Sequence, residues 1–302
     1  HCHVFLRQAP QAIQAFTQAV ELNPALPASW RMLAALYAMA GKQSEAENAA
    51  QHVAKLATLA VEVVTARSML ADGNLTEAEA LIRPYVKRAP EDIEGLRVLA
   101  LVAQRNEFSK DAAIILEEVL AKDPGYHAAR QDLVAALLAT HQHVRAREEL
   151  AILMRAQPDH IAHRRTLAGI LVSQGSTAEA IDLYRELLNE HPDDADLHMY
   201  FGHALKTQGI RAEAEHQYKE AARHRPSFGD AYWSLANLKT YRFTESEIAI
   251  MREQVEAPRI PLADRYHLCF ALGKAYEDLG SYEESFHYYA RGNAFKKAES
   301  TY

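Results

Sequence analysis

The residues of this sequence that first suggest chemistry are its histidines. There are 15 of them in 302 residues, and a neutral imidazole is a common ligand for transition metals. His160 and His163 are three residues apart, which places both on one face of a helix. No third ligand accompanies them, and stable metal sites need three or four ligands. A pair of surface histidines is therefore the favoured interpretation.

Three other clusters carry ligand-type side chains. His141 and His143 lie in a predicted turn and are expected to be exposed. Residues 1–3, with the sequence His-Cys-His, predict adventitious metal binding at a chain end. Residues 193–196 contain three aspartates at a predicted helix start, where a favourable interaction with the helix dipole is preferred over a cation site. None of these patterns indicates a catalytic residue.

Composition restricts the remaining classes of function. Hydrophobic residues make up 49% of the chain, enough for a packed core, and the net charge of −7 argues against a nucleic-acid partner. No apolar segment approaches the ~20 residues that span a bilayer, so no membrane association is expected. Cys2 and Cys269 are far apart, which argues against a disulfide framework or a structural zinc site. Sparse cysteine favours a reducing compartment, and a cytoplasmic location is predicted.

A 34-residue period is the strongest signal in the sequence. Proline recurs at Pro90, Pro124, Pro158, Pro192 and Pro226. Such a period is typical of repeat proteins, and each proline separates one repeat from the next because it cannot continue a helix.

Other residue types follow the same period. A small residue stands twelve positions before each proline, where two helices are expected to approach closely. A large apolar residue stands eight positions before it, where it can fill the gap between hairpins. The small residues are Ala78, Ala112, Ala146, Ala180 and Ala214, and the large ones are Ile82, Leu116, Leu150, Tyr184 and Tyr218.

These positions resemble the tetratricopeptide repeat (TPR) pattern, and an earlier repeat fits the same frame through Pro24, Trp30, Leu33, Tyr37 and Ala46. The resemblance implies an all-α fold, an α-α superhelix or TPR solenoid of about eight helical hairpins. Repeated stacking buries a core that a single hairpin cannot bury. Catalytic side chains distant in sequence do not meet easily in such a fold, and no catalytic, cofactor or metal site is predicted.

The repeats show two further features. The register is uncertain near residues 60–71, because Thr58 stands where a proline is expected and the interval from Thr58 to the next repeat proline is 32 residues instead of 34. Second helices often begin with the spacing of a capping box, in which a hydroxyl and a carboxylate satisfy free N–H groups. The predicted pairs are Ser44 with Glu47, Thr76 with Glu79, Ser176 with Glu179, Thr244 with Glu247 and Ser281 with Glu284.

The repeat frame divides the chain into four parts. Residues 1–25 form a truncated first repeat and residues 26–240 form the TPR array. Residues 241–262 contain an irregular helix and a linker, and residues 263–302 form a final TPR-like hairpin with a connecting helix. The truncated start suggests that the sequence begins inside a longer protein.

The segments at residues 231–239 and 270–297 resemble the end of the repeat region in bacterial TPR-containing sulfotransferases, which are related to tyrosylprotein sulfotransferases. The resemblance implies that an α/β catalytic domain follows the array and uses phosphoadenosine phosphosulfate (PAPS) as co-substrate. The chain itself has no Gly-rich phosphate loop. No cofactor is therefore expected within it, and whether the parent protein is an enzyme stays open.

In the TPR family, certain first-helix positions often face the concave groove. Transferred to this frame, they supply basic, amide and aromatic side chains suited to an extended acidic peptide. The alternative is an ordinary polar surface, and for the aromatic Trp233 a further alternative is packing against the irregular helix. The candidate groove residues are Arg97, Arg105, Arg165, His203, Lys206, Trp233, Asn237, Tyr241 and Lys274.

Three functions follow from these observations. The first is a protein- or peptide-binding arm of a sulfotransferase. The second is a freestanding scaffold for assembling protein complexes, and the third is the arm of a glycosyltransferase. The repeat alone supports binding and nothing more specific.

Overall fold

The computed structural model describes residues 9–258 and 260–299, and every regular element in these residues is an α-helix. They divide into two compact units, one ending at Leu153 and the other beginning at Met154, a boundary inside one helix. Seventeen helices are described. The first nine are α1 (Ala9–Leu22), α2 (Pro27–Met39), α3 (Gln43–Ala57), α4 (Val61–Ala71), α5 (Leu75–Arg88), α6 (Ile93–Arg105), α7 (Ser109–Lys122), α8 (His127–Ala139) and α9 (His143–Ala156).

The second unit continues with a regular part and an irregular end. Its helices are α10 (Ile161–Ser173), α11 (Thr177–Glu190), α12 (Ala195–Thr207), α13 (Arg211–His224), α14 (Gly229–Ala236), α15 (Glu245–Glu256), α16 (Leu262–Asp278) and α17 (Tyr282–Glu299). The prediction of an all-α fold built from helical hairpins is confirmed. The part of the prediction that concerns residues 1–8 lies outside the described residues.

The core of each hairpin follows the predicted pairing of small and large side chains. The five alanines twelve residues before the prolines are all 0% exposed. The five large residues eight positions before the prolines are at most 2% exposed. Small side chains let the two helices of a hairpin approach, and the large ones fill the remaining space at close-packed density.

The uncertain register near residues 60–71 has a simple structural cause. Helix α4 has 11 residues, whereas α2 and α6 each have 13. Thr58 caps the end of α3 and its hydroxyl donates to the Lys55 carbonyl at 2.8 Å. A shorter first helix therefore accounts for the 32-residue interval.

The capping-box prediction is right at one place and wrong at others. Thr244 and Glu247 form the reciprocal box at the start of α15. Helices α3, α5 and α11 begin without any side-chain capping bond. In α3 and α5 the helix begins one residue before the serine or threonine, so the hydroxyl is already inside the first turn and cannot cap it.

The last helices depart from the regular array. Helix α14 has only eight residues. Helix α15 buries Ile248, Met251 and Val255, and α16 then crosses the start of α14. There Asp264 accepts a hydrogen bond from the Gly229 amide at 3.0 Å. A Cβ at Gly229 would lie 2.1 Å from the Asp264 carbonyl oxygen, so this crossing requires glycine.

Candidate peptide-binding surface

Seven of the nine candidate groove residues lie on first helices, the helices that open each hairpin; Asn237 directly follows α14, and Tyr241 lies between α14 and α15. In the first unit, the structure uses Arg97 within the protein. Its Nε donates to Asp132 at 2.6 Å, and its Nη1 donates to the Tyr126 hydroxyl at 3.2 Å. Burial raises the pKa of Asp132, although the charge of Arg97 opposes that shift. This ion pair joins α6 to α8 and leaves little of the Arg97 charge for a ligand.

Arg105 is in a different environment, at the last position of α6. Its side chain is exposed, and among the described residues it forms no ion pair. Of the two candidate arginines in the first unit, Arg105 is the one that remains accessible to a ligand.

In the second unit, Arg165 contacts Tyr200 at the surface. The Arg165 guanidinium lies 6.0 Å from the centroid of the Tyr200 ring, and Tyr200 is 46% exposed. Arginine stacked on an aromatic ring keeps donors free for a carboxylate. Sequence reasoning missed Tyr200, because it lies one residue away from a family groove position. Its large exposed ring next to a basic side chain is the feature that identifies it.

His203 and Lys206 follow on the same helix, α12. The His203 Nδ1 lies 3.0 Å from the Tyr218 hydroxyl, and its ring is half-buried. Burial lowers the pKa of His203; Lys206 shifts it the same way and Asp230 opposes them. Lys206 is exposed. His203 therefore supports the hairpin as a neutral ring, while Lys206 offers a charge to a ligand.

Trp233 packs within the protein, as the alternative prediction held, but its partner belongs to α16 and not to the irregular helix α15. Its indole packs on Phe270 of α16 at a centroid separation of 5.6 Å, and it borders the core. Asn237 caps the end of α14 and is exposed. Trp233 thus orders the irregular end of the unit, and Asn237 is left as the polar group on this surface.

Tyr241 and Lys274 are placed differently from the prediction. Tyr241 is 8% exposed, and its hydroxyl donates to Glu247 at 2.5 Å. Burial raises the pKa of Tyr241. It is a core residue rather than a groove residue, because the chain leaves the helical frame after Ala236. Lys274 is paired with Asp278 on its own helix and lies 3.5 Å from Glu277.

The other clusters noted in the sequence also have defined positions. His160 stacks on His163 at 4.2 Å, but His163 is 4% exposed, so the interpretation as a surface pair is wrong for that ring. His141 is exposed and adopts a positive φ of 58°, and His143 is half-buried. Residues 1–3 lie outside the described part. Cys269 is buried, and burial raises its pKa to about 11, which disfavours the reactive thiolate.

The aspartates at residues 193–196 act as the helix-dipole interpretation expected. Asp194 accepts hydrogen bonds from the amides of Asp196 and Leu197 at the start of α12. Asp196 pairs with Arg225 at 2.9 Å. Their charges therefore stabilise a helix start and join it to the segment after α13.

Comparison with known proteins places this arrangement in a family. Tetratricopeptide repeat models match residues 110–170, 171–238 and 266–297, together more than half of the chain. The chain belongs to the tetratricopeptide repeat family. These repeats form protein-interaction scaffolds, and the broad prediction of a binding protein agrees with this membership. No curated protein matches the sequence.

Solved structures share the fold at low sequence identity. A human IFIT1 dimer with m7Gppp-AAAA has a TM-score of 0.59 and 16% identity, covering 97% of this chain and 75% of that one. A human IFIT1 dimer with PPP-AAAA has a TM-score of 0.57 and 17% identity, with the same coverage of the two chains. MamA from Desulfovibrio magneticus RS-1 has a TM-score of 0.49 and 16% identity, covering 56% of this chain and 97% of that one. Among the described helices, none has both the length and the apolar composition needed to cross a bilayer.

Proposed function

We propose that this chain is a scaffold that binds an extended acidic peptide on a first-helix surface of its second unit. We define this surface by Arg165, Tyr200, Lys206 and Asn237. The observation that carries the proposal is the contact of the Arg165 guanidinium with the exposed ring of Tyr200, which presents a planar donor and an aromatic ring together.

The chemistry of this surface favours a carboxylate-bearing ligand. Arg165 and Lys206 supply positive charge, and the exposed amide of Asn237 can bond to a peptide backbone. Arg97 and Lys274, by contrast, are already paired with acidic side chains. A basic or neutral peptide would find less complementary charge here.

The experiment measures the affinity of purified protein for a degenerate library of acidic peptides, and for a neutral library of the same lengths. Changing both Arg165→Glu and Lys206→Glu should weaken acidic-peptide binding roughly tenfold or more, since each removes a charge-assisted hydrogen bond. Binding of the wild-type protein should also weaken as salt is raised.

The matched control is Arg211→Glu. Arg211 is an exposed basic residue at the start of α13, a second helix, and its replacement changes the charge by as much as each of the two substitutions does. Its affinity should equal that of the wild-type protein. If the double variant binds the acidic library as tightly as the control does, the proposed surface is wrong.

Finer hypotheses from the sequence stay predictions. The likeness of residues 231–239 and 270–297 to a sulfotransferase repeat region is what favours a recognition arm with a PAPS-using domain beyond Tyr302. A strand followed by a Gly-rich phosphate loop in the gene after that point would support it, and a stop codon there would favour a freestanding scaffold. The glycosyltransferase arm and the cytoplasmic location likewise stay predictions.

A further inference from the structure

Three ligand-type side chains converge in the hairpin of α12 and α13. One ring nitrogen of His198, one carboxylate oxygen of Glu220 and one ring nitrogen of His224 lie within 4.8 Å of one another. His198 is 7% exposed and the His224 side chain 9% exposed, so both rings are largely shielded from water. The two rings stack at 5.4 Å with an interplanar angle of 7°.

The hairpin itself creates this cluster. Glu220 and His224 are four residues apart, so they lie on one face of α13. His198 lies near the start of α12, and the antiparallel turn between the helices brings it beside the end of α13. The cluster lies within one hairpin and uses none of the residues of the proposed peptide surface.

We propose that His198, Glu220 and His224 bind a divalent transition metal such as Zn²⁺. Two imidazole nitrogens and one carboxylate oxygen are a donor set found in zinc sites that keep an open fourth position. Metal bonds of about 2.0–2.2 Å require the three atoms to draw slightly closer than they are.

The surroundings orient His224 for this role. Its Nδ1 lies 3.4 Å from the Asp193 carboxylate, and its Nε2 faces Glu220 at 3.7 Å. A carboxylate on one ring nitrogen fixes the tautomer and leaves the other nitrogen free to bind metal. His224 thus supplies a ligand, and Asp193 is the carboxylate that supports it.

His198 is held by two partners, and metal binding replaces one of them. Its Nε2 lies 2.9 Å from the Pro192 carbonyl, and its Nδ1 lies 2.7 Å from the Gln217 side-chain oxygen. The ring is therefore fixed in position before a metal arrives. Whichever nitrogen binds the metal gives up its present hydrogen bond.

Arg223 now occupies the position that suits a cation. Its Nη2 lies 2.5 Å from His224 Nε2 and 2.7 Å from a Glu220 oxygen. The Arg223 side chain is 62% exposed, so it can turn toward solvent. A metal must displace it, because two cations at one point repel each other. Removing the charge of Arg223 should consequently tighten metal binding.

The experiment titrates Zn²⁺ into chelator-treated protein by calorimetry and follows Co²⁺ substitution by visible absorption. His224→Ala and Glu220→Gln should each abolish the tightest binding event. Arg223→Gln should strengthen it several-fold. His127→Ala is the matched control, since His127 is an exposed histidine on α8, outside this hairpin, and it should bind as the wild-type protein does.

Weaker binding at the remaining histidines should persist in every variant. Glu220→Gln preserves the shape of the side chain, and its circular dichroism spectrum and melting temperature without metal should match those of the wild type. The proposal is overturned if folded Glu220→Gln and His224→Ala proteins bind Zn²⁺ like the control. Because these variants leave the peptide surface intact, their result is independent of the peptide experiments.

Discussion

Gly202 of α12 lies directly against the ring of Tyr218 on α13. A Cβ at Gly202 would be 2.5 Å from the Tyr218 Cε1 atom, closer than real contacts allow. Gly273 and Tyr289 repeat this relationship in the last hairpin, at 2.9 Å. Where the large residue is a tyrosine packed this tightly, the facing position on the first helix has no side chain.

The first prediction is that Gly202→Ala destabilises the protein. The added methyl group forces the Tyr218 ring out of a fully buried position, and overpacking of this kind costs about 1–3 kcal/mol. Urea unfolding should show this decrease in the free energy of unfolding.

The control for this prediction is Gly169→Ala in α10. A Cβ there meets nothing within 4 Å, so alanine should be neutral or stabilising by up to about 1 kcal/mol through its better helix propensity. Equal effects of the two substitutions would show that the contact with Tyr218 does not restrict residue 202.

The hairpin fold was predictable because one residue type per position repeats at a fixed period. The positions of Ala78, Ala112 and Ala146 are set by the contact between two helices, which is the same in every repeat. The contacts of the candidate groove residues were less predictable. Arg97 is paired with Asp132 across a repeat boundary, and a 35-residue separation gives no sign of this in the sequence.

One position shows how the same place in the fold accepts different chemistry. In two repeats, the side chain six residues after the proline donates to that proline's carbonyl. This occurs from Trp30 to Pro24 at 2.9 Å and from Arg130 to Pro124 at 2.7 Å. A pattern search based on residue type misses this equivalence, since tryptophan and arginine share only a long side chain and an N–H donor.

The second prediction concerns Arg130, which is 7% exposed and also pairs with Glu149 of α9. Glu149→Ala leaves a buried guanidinium without its counter-charge. We expect a loss of about 1–3 kcal/mol in the free energy of unfolding, because the Arg130 guanidinium stays buried and its desolvation penalty is no longer offset by the ion pair. Thermal and urea unfolding measure this loss.

An exposed ion pair supplies the control for Glu149. Glu117 pairs with Arg145, and both side chains are 42–50% exposed. Glu117→Ala should change stability by less than about 1 kcal/mol, since surface pairs contribute little. If Glu149→Ala costs no more than Glu117→Ala, the pair with Arg130 does not stabilise the hairpin.

The third prediction separates the real capping box from the apparent ones. The Thr244 hydroxyl accepts from the Glu247 amide at 3.3 Å, and Glu247 accepts from the Thr244 amide at 2.8 Å. Thr244→Ala should therefore cost about 1 kcal/mol. Ser176→Ala should be close to neutral, because Ser176 makes no capping bond. A larger loss at Ser176 than at Thr244, measured by urea unfolding, would contradict the helix starts described above.

The fourth prediction is a pH dependence of stability that comes from His203. Burial lowers the pKa of His203 below its ordinary value of 6.5, so the folded state resists protonation. The unfolded chain takes up this proton first as the pH falls, and proton uptake by the unfolded state reduces stability. The contribution of His203 is thus fully present above pH 6.5 and is progressively lost as the pH drops below it.

His203→Gln removes this titration while its amide can still bond to the Tyr218 hydroxyl. The free energy of unfolding, measured by urea between pH 8 and pH 5, should fall less steeply in this variant than in the wild-type protein. His216→Gln, which changes an exposed ring on α13, should keep the wild-type slope. A slope that is the same in all three proteins would contradict this prediction, because it would mean that His203 accepts a proton equally well in the folded and the unfolded protein.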